Sequence, residues 1–201
     1  PVYGLAECSV ALCFPPIGRA PLVDRVEREA FEREGRAVVA ASGAATPLDF
    51  VSVGTPLPAH EVRLVDERGK DVADRVVGRL IFRGPSCTSG YYRNPEATAR
   101  TISATGWIDS GDLAYRANAE LFITGRLKDL IIKGGRNLVP QEIEEVAGAI
   151  EGIRKGCVAA FGVPDELSGT ERLVVLAETH ATDKAARARL EGEIVSAIAA
   201  G

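Results

Sequence analysis

Four short stretches combine charged or aromatic residues with glycine, the composition of ligand-binding turns. They are YGLAE (3–7), GRLIFRGPSCTSGYYRNPEATA (78–99), GWIDSGDLA (106–114) and GRLKDLIIKGGRNLVPQEIE (125–144). Each is weak evidence alone, because a tyrosine beside a glycine is usually a packed aromatic and Asp112 can simply cap a turn. Arg126 and Asp129 can likewise form a surface pair worth less than about 1 kcal/mol. Their order along the chain must therefore carry the argument.

The last of these stretches is basic, which raises the question of a nucleic-acid partner. Arg126, Lys128, Lys133 and Arg136 flank a short apolar run. Phosphate binding is built mainly from accumulated lysine and arginine. The chain as a whole, however, has 24 basic and 28 acidic residues and a net charge of −4, with the basic residues spread along it. We therefore predict no nucleic-acid partner.

The cysteine and histidine spacing bounds the metal and redox chemistry. The candidate ligands are Cys8, Cys13, Cys87, Cys157, His60 and His180. They form no CxxC or HxxxH pattern, so we predict no structural zinc. The low cysteine density and the lack of a signal-peptide pattern predict a reducing, cytoplasmic location. No apolar run approaches the roughly 20 residues that cross a bilayer, so we predict no transmembrane segment.

Hydrophobic patterning divides the chain into two parts at about residues 126–129. Between residues 51 and 115 short strand patterns alternate with turns, which predicts a β-rich subdomain at about 50–126. The remainder alternates strands with helices, which predicts a compact α+β domain at 127–201. The predicted fold class is therefore α+β, with a small β-rich subdomain followed by a compact α+β domain.

Four segments carry helix signals. Apolar residues at helical spacing predict a helix within 23–35 that ends at Gly35. Asn94 followed by proline predicts the start of a short helix, and Pro140 predicts the first turn of another. The segment 183–200 is predicted as a closing amphipathic helix.

Taken in order, the four stretches resemble the motif series of the adenylate-forming superfamily, which includes acyl-CoA synthetases, luciferases and peptide-synthetase adenylation domains. The resemblance extends over nearly the whole chain. It implies a ligase that uses ATP and Mg²⁺ to convert a carboxylate to an acyl adenylate and then passes the acyl group to a thiol. It also implies that 1–126 is the C-terminal part of a large adenylation domain, containing a distorted barrel, and that 127–201 is a mobile, truncated lid domain.

The resemblance assigns five residues to the nucleotide. Tyr3 matches an aromatic that lies against adenine, where a flat ring suits a flat base, and Gly4 stands beside it in the same motif. Glu7 matches the acid that helps to hold Mg²⁺ between the phosphates. Asp112 matches a carboxylate that accepts hydrogen bonds from both ribose hydroxyls. Arg126 matches a guanidinium that also reaches the nucleotide.

Three further residues match the moving part of the family. Lys128 matches the hinge position, where a few torsions rotate the small domain between half-reactions, and we count it with Glu7 as catalytic. Gly134 and Gly135 are expected to allow a tight turn that brings the backbone close to an incoming thiol arm.

Details within the motifs resemble fatty acyl-AMP ligases. Ala6 replaces the threonine that most of the superfamily has, and the "GRN" and "PQ" of the last motif look like the acyl-AMP ligase version. The long connector from Glu7 to Gly54 is similar to an insertion that is thought to brace the mobile domain against transfer to CoA. This implies a fatty acid substrate and an acyl carrier protein, whose phosphopantetheine arm is the acceptor.

Other interpretations stay open. An acyl-CoA synthetase differs only in using CoA as the acceptor, a non-catalytic module that docks a carrier protein is a third possibility, and the connector can be an ordinary surface loop. The chain lacks methionine and begins inside a motif, so we expect a piece of a longer protein that does not catalyse adenylation alone. We also expect Val10, Leu12 and Phe14 to seek cover by dimerisation or strand exchange.

Overall fold

The computed structural model describes residues 1–134, 136–165 and 170–200. Its contacts divide the chain into two compact units, Pro1–Lys128 and Asp129–Gly201. Both units combine helices with antiparallel strands, which confirms the predicted α+β class. That the two units are the end of a large adenylation domain and a mobile lid remains a prediction.

The first unit is built on one antiparallel sheet of seven strands with the order β1-β3-β7-β6-β5-β4, and β2 also pairs with β3. Its elements are β1 (Cys13–Phe14), β2 (Val23–Val26), α1 (Arg28–Glu34), β3 (Leu48–Pro56), β4 (Glu61–Val65), β5 (Gly78–Arg83), α2 (Pro95–Thr101), β6 (Ile108–Ala117) and β7 (Glu120–Arg126). The order ends at β1 and β4, so the sheet is an open half-barrel.

Alternating burial explains why these segments pair as strands. In β5, Gly78, Leu80 and Phe82 are buried and the residues between them are only partly so, which is the period of a strand with one core face. The β6–β7 hairpin closes through Asn118 and Ala119, both with positive φ, as a tight hairpin turn requires.

The connector is packed against the sheet. β2 pairs with β3 over four residues, and Phe31 of α1 lies 4.8 Å from Phe50, centroid to centroid. Phe50 contacts Tyr115 at 5.8 Å, and Tyr115 stacks on Phe122 at 5.0 Å. This aromatic ladder joins α1 to strands β6 and β7, so the connector is a layer of the first unit and not an ordinary surface loop.

Ionic contacts reinforce that layer. Asp24 in β2 accepts a hydrogen bond of 2.7 Å from the Tyr115 hydroxyl and two, of 3.1 and 3.2 Å, from Arg75. Arg19 donates two hydrogen bonds, of 2.5 and 2.8 Å, to the Glu120 carboxylate.

Two sequence predictions in this unit need correction. The helix predicted within 23–35 is confirmed as α1, which ends at Gly35 as predicted, but it begins only at Arg28 because Val23–Val26 is strand β2. Pairing with β3 overrides the helical spacing of Val23 and Val26. Leu12 does not need cover from a second chain, because it is buried in the core of the first unit. Val10 and Phe14 are exposed, and dimerisation through them remains a prediction.

The second unit follows the predicted order. Its elements are β8 (Ile131–Lys133), β9 (Arg136–Leu138), α3 (Pro140–Gly148), β10 (Ile153–Asp165), β11 (Thr170–Thr179) and α4 (Lys184–Ala200). β8 pairs with β9 and β10 with β11, both antiparallel. Pro140 begins α3 as predicted. The closing segment is helical as predicted, and Leu190, Ile194 and Ile198, spaced four residues apart, are buried or half-buried. Val195 is 67% exposed, so the helix has one buried stripe and one exposed face, as in an amphipathic helix.

Within the described ranges, none of the helices has the length and apolar character that crossing a membrane requires.

Candidate functional site

A cleft of about 490 Å³ in the first unit contains three of the predicted site residues, Glu7, Arg126 and Lys128. Its other lining residues are Tyr91, Arg100, Thr101, Asp109, Ser110, Gly111 and Leu127. Glu7 lies in the turn after Tyr3, and the other lining residues come from α2 and the loop before it, from the start of β6, and from the end of β7 and the residues that follow it.

Asp112 lies beside this cleft and is almost fully buried. In the sheet it pairs directly with Arg126 of β7. Arg126 Nε donates to Asp112 Oδ1 at 3.0 Å, and the Tyr3 hydroxyl donates to Asp112 Oδ2 at 2.5 Å. The structure therefore joins three predicted nucleotide-binding residues around one carboxylate.

The backbone around Asp112 is shaped by its neighbours. The Asp112 amide donates to Ser110 Oγ at 3.0 Å, and Ser110 Oγ itself donates to the Leu80 carbonyl at 2.8 Å. The pairing of β6 with β7 shifts register just after Leu113, and such irregularities redirect side chains at sheet ends. Gly111, with φ of 74°, permits this path.

Tyr3 is set by strand-like contacts at the start of the chain. Its amide and carbonyl both bond to Cys13, at 3.1 and 2.9 Å. Burial, and then the hydrogen bond to Asp112, raise the pKa of the Tyr3 hydroxyl, which keeps the phenol neutral and able to donate. Gly4 has a steric reason to be glycine, because a Cβ there would overlap the Val10 carbonyl oxygen. Its contact with a nucleotide remains a prediction.

Glu7 sits in a short 3₁₀ turn, Ala6–Cys8, and is held by the loop before α2. The Tyr91 hydroxyl donates to Glu7 Oε1 at 2.6 Å, and the Thr88 amide donates to the Glu7 carbonyl at 2.8 Å. Tyr91 was not predicted from the sequence. The second motif contains two adjacent tyrosines, Tyr91 and Tyr92, and nothing in the sequence shows which of them contacts Glu7.

The donor set fits a cation that is shared with a ligand. The described residues contain no cluster of three or more His, Cys, Asp or Glu side chains able to hold a metal ion. Glu7 supplies a hard carboxylate oxygen at the cleft, and Mg²⁺ is typically bound by one or two carboxylates together with phosphate oxygens and water. The site therefore fits a magnesium ion that arrives with a polyphosphate.

The charges of the cleft are mixed. Arg100, Arg126 and Lys128 supply positive charge, and Glu7 and Asp109 supply negative charge. Positive side chains attract an anionic ligand, while the carboxylates provide acceptors for hydroxyl groups or a cation. This combination suits a nucleoside phosphate.

The remaining predicted residues belong to the second unit. Gly134 lies in the turn between β8 and β9 with φ of 57°, a conformation that favours glycine. Gly135 lies outside the described residues.

Comparison with known proteins agrees with these observations. Residues 1–92 match the family of AMP-binding enzymes. A putative acyl-CoA synthetase of Caulobacter vibrioides is 39% identical over 96% of this chain, which corresponds to 34% of that protein. The chain belongs to the adenylate-forming superfamily.

Acyl-AMP ligases are also among its relatives. The long-chain-fatty-acid–AMP ligase FadD26 of Mycobacterium tuberculosis is 35% identical over 89% of this chain and 31% of its own length. A structure from a study of fatty acyl-adenylate ligases of E. coli and L. pneumophila superimposes with a TM-score of 0.89 at 36% identity, covering 98% of this chain and 35% of that one. The chain spans about a third of the length of the relatives it matches.

Proposed function

We propose that this chain is part of an ATP-dependent ligase that converts a fatty acid to an acyl adenylate and transfers the acyl group to a thiol. The observation that carries the proposal is the Asp112 carboxylate, buried beside a cleft and held between Tyr3 and Arg126. The family membership and the mixed charges of the cleft support it. In this function the cleft residues bind the nucleotide, and we assign no fatty acid contact to this chain.

Asp112 would bind the ribose of ATP. Each carboxylate oxygen has two acceptor positions, and Tyr3 and Arg126 each use one position on a different oxygen. Both oxygens can therefore accept a further bond, one from each ribose hydroxyl, and a charged acceptor strengthens both bonds. Tyr3 would also offer its ring to the adenine.

Glu7 would hold Mg²⁺ at the phosphates, where the ion supplies charge neutralisation as pyrophosphate leaves. Arg126 lines the same cleft, and its guanidinium can meet hydroxyl or phosphate oxygens. Lys128 is the last residue of the first unit, which supports its assignment as the hinge.

Replacement of Asp112 tests the proposal in the complete protein. We expect Asp112→Ala to lower acyl-adenylate formation, measured by ATP–pyrophosphate exchange, by at least about a hundredfold, because both ribose hydroxyls lose a charged acceptor. Asp112→Asn keeps the shape and one acceptor oxygen and should retain more activity. Exchange rates equal to wild type in both variants would remove Asp112 from the nucleotide site.

For the acceptor we propose an acyl carrier protein. The similarity to FadD26 and to the fatty acyl-adenylate ligase structure supports this choice, as does a connector that is built as a packed layer. The second candidate is CoA, which the similarity to an acyl-CoA synthetase favours. Supplying the complete protein with ATP, fatty acids of varied length and either acceptor decides between them, and efficient acyl-CoA formation would exclude the carrier assignment.

The hinge assignment has its own test. Proline at position 128 restricts the torsions there, so Lys128→Pro should slow one half-reaction much more than the other. Lys128→Ala, which keeps the backbone free, is the matched control. Equal rates in both half-reactions for Lys128→Pro would refute the hinge.

A further inference from the structure

Tyr91 has no role in the function proposed above, yet its hydroxyl contacts the Glu7 carboxylate. The bond from Tyr91 Oη to Glu7 Oε1 is 2.6 Å long and joins residues 84 positions apart in the sequence. Within the described part of the chain, it is the one hydrogen bond that the structure gives to this carboxylate. Glu7 is thus oriented by a single neutral donor.

The loop that carries Tyr91 is itself well supported. The Tyr91 amide donates to Thr98 Oγ1 at 2.9 Å, and Thr98 Oγ1 donates to the Asn94 carbonyl at 2.9 Å. Gly90 lets the loop lie close to α2, since a Cβ there would crowd the Thr98 side chain. The phenol therefore reaches Glu7 from a fixed base.

The surroundings of Glu7 explain why a neutral donor matters. Arg100, Arg126 and Lys128 line the same cleft, and any of these cations is an alternative partner for a nearby carboxylate. A Glu7 side chain paired with one of them would be withdrawn from an incoming cation. A phenol holds one oxygen without adding positive charge and leaves the second oxygen able to bind a metal ion.

We propose that Tyr91 is a positioning residue for Glu7, which fixes the carboxylate in the orientation that receives the nucleotide-bound divalent cation. This inference rests on the proposed function, because it takes the ligand of the cleft to be a metal–nucleotide complex. Tyr91 acts before the ligand arrives, by reducing the rotamers of Glu7 that must be lost on binding.

The experiment uses the complete protein with Mn²⁺ and α,β-methylene-ATP, and reads free Mn²⁺ by electron paramagnetic resonance. Tyr91→Phe removes only the hydroxyl and should weaken Mn²⁺ binding in the ternary complex by about three- to tenfold, as expected for one partly exposed bond to a charged group. Tyr92→Phe is the matched control, because Tyr92 is the neighbouring tyrosine in the sequence, is 86% exposed and contacts Arg93 instead of Glu7. It should leave Mn²⁺ binding unchanged.

A double-mutant cycle shows whether Tyr91 acts through Glu7. In a Glu7→Gln background, Tyr91→Phe should cause no further loss of Mn²⁺ affinity. In turnover, Tyr91→Phe should raise the Mg²⁺ concentration for half-maximal rate while kcat at saturating Mg²⁺ stays within about twofold of wild type.

An Mn²⁺ affinity unchanged by Tyr91→Phe would overturn the assignment, and so would an equal loss in the Glu7→Gln background. The proposed ligase is judged separately, by adenylate formation in the wild type. If the wild-type protein forms no adenylate but Tyr91→Phe still weakens Mn²⁺ binding, the proposed ligase function is rejected and the role of Tyr91 is supported.

Discussion

The β6–β7 hairpin carries a buried carboxylate at each end, and the two are held in different ways. At the closed end Glu120 accepts both arms of the Arg19 guanidinium and a bond from the Ser52 hydroxyl. At the open end Asp112 accepts one bond from Arg126 and one from Tyr3. The arginine side chain is 37% exposed at the closed end and 51% exposed at the open end.

This difference separates a structural ion pair from the proposed binding site on the same hairpin. A bidentate guanidinium and a hydroxyl occupy most of the acceptor capacity of Glu120, so little remains for a ligand. Asp112 is equally buried but retains an acceptor position on each oxygen. The two ends therefore differ in spare acceptor capacity and not in burial, and this difference supports the open end as the proposed binding site.

The largest stability effect should come from the closed end. Glu120→Ala leaves Ser52 and a guanidinium without their acceptor, and we expect the free energy of unfolding to fall by about 2–4 kcal/mol. Asp112→Ala should cost only about 1–2 kcal/mol, because its partners are more exposed. Urea unfolding of both variants measures the difference, and equal losses would remove the distinction between the two ends.

Acid should also act at the closed end. Hydrogen bonds from Arg19 and then Ser52 lower the pKa of Glu120 from 4.5 to about 2. A lowered folded-state pKa gives stability that is fully present above the unfolded-state value and is lost as pH falls through the folded value. Between pH 4.5 and 2, the wild type should therefore lose more stability than Glu120→Gln. Parallel curves of unfolding free energy against pH would show that the pKa is not lowered.

Replacement of Tyr3 tests the open end of the hairpin. Tyr3→Phe removes the donor to Asp112 but keeps the ring, so we expect a stability loss of about 1 kcal/mol. If the ring lies against adenine, nucleotide affinity should stay within severalfold of wild type, whereas Tyr3→Ala should lower it much more. Calorimetric titration of ATP into the complete protein measures both. Equal affinities for the two variants would contradict a role for the ring.

The smallest effect should come from a surface pair that resembles the closed end in geometry. Arg25 donates two bonds of 2.7 Å to Asp49, but both side chains are solvent-exposed. Exposed pairs contribute little because water and salt screen them. In urea unfolding, Asp49→Asn should leave the free energy of unfolding nearly unchanged. A decrease as large as that of Glu120→Ala would show that bidentate geometry outweighs burial.

The sequence predicted the features that depend on local signals. Asn94 caps α2 through its side chain, which accepts a bond from the Ala97 amide at 3.0 Å, and Pro140 begins α3, as predicted. The resemblance also selected Tyr3, Asp112 and Arg126, which the structure brings together, although their roles remain predictions.

Contacts between distant segments could not be predicted in this way. Tyr91 meets Glu7 across 84 positions and Arg19 meets Glu120 across 101, so no periodicity or spacing records either pair. The strand at Val23–Val26 was missed for the same reason, because its conformation is decided by its partner strand β3.

The close approach of Val10 to Gly4 has a consequence for the proposed nucleotide site. Gly4 lies between Tyr3 and Glu7, and the chain folds back so that the Val10 carbonyl oxygen occupies the space of a Cβ. This backbone contact holds the turn between Tyr3 and Glu7, the two residues proposed to meet the base and the metal ion. Any side chain at Gly4 would force the Val10 backbone away, and under the proposed function it would displace Tyr3 and Glu7 together.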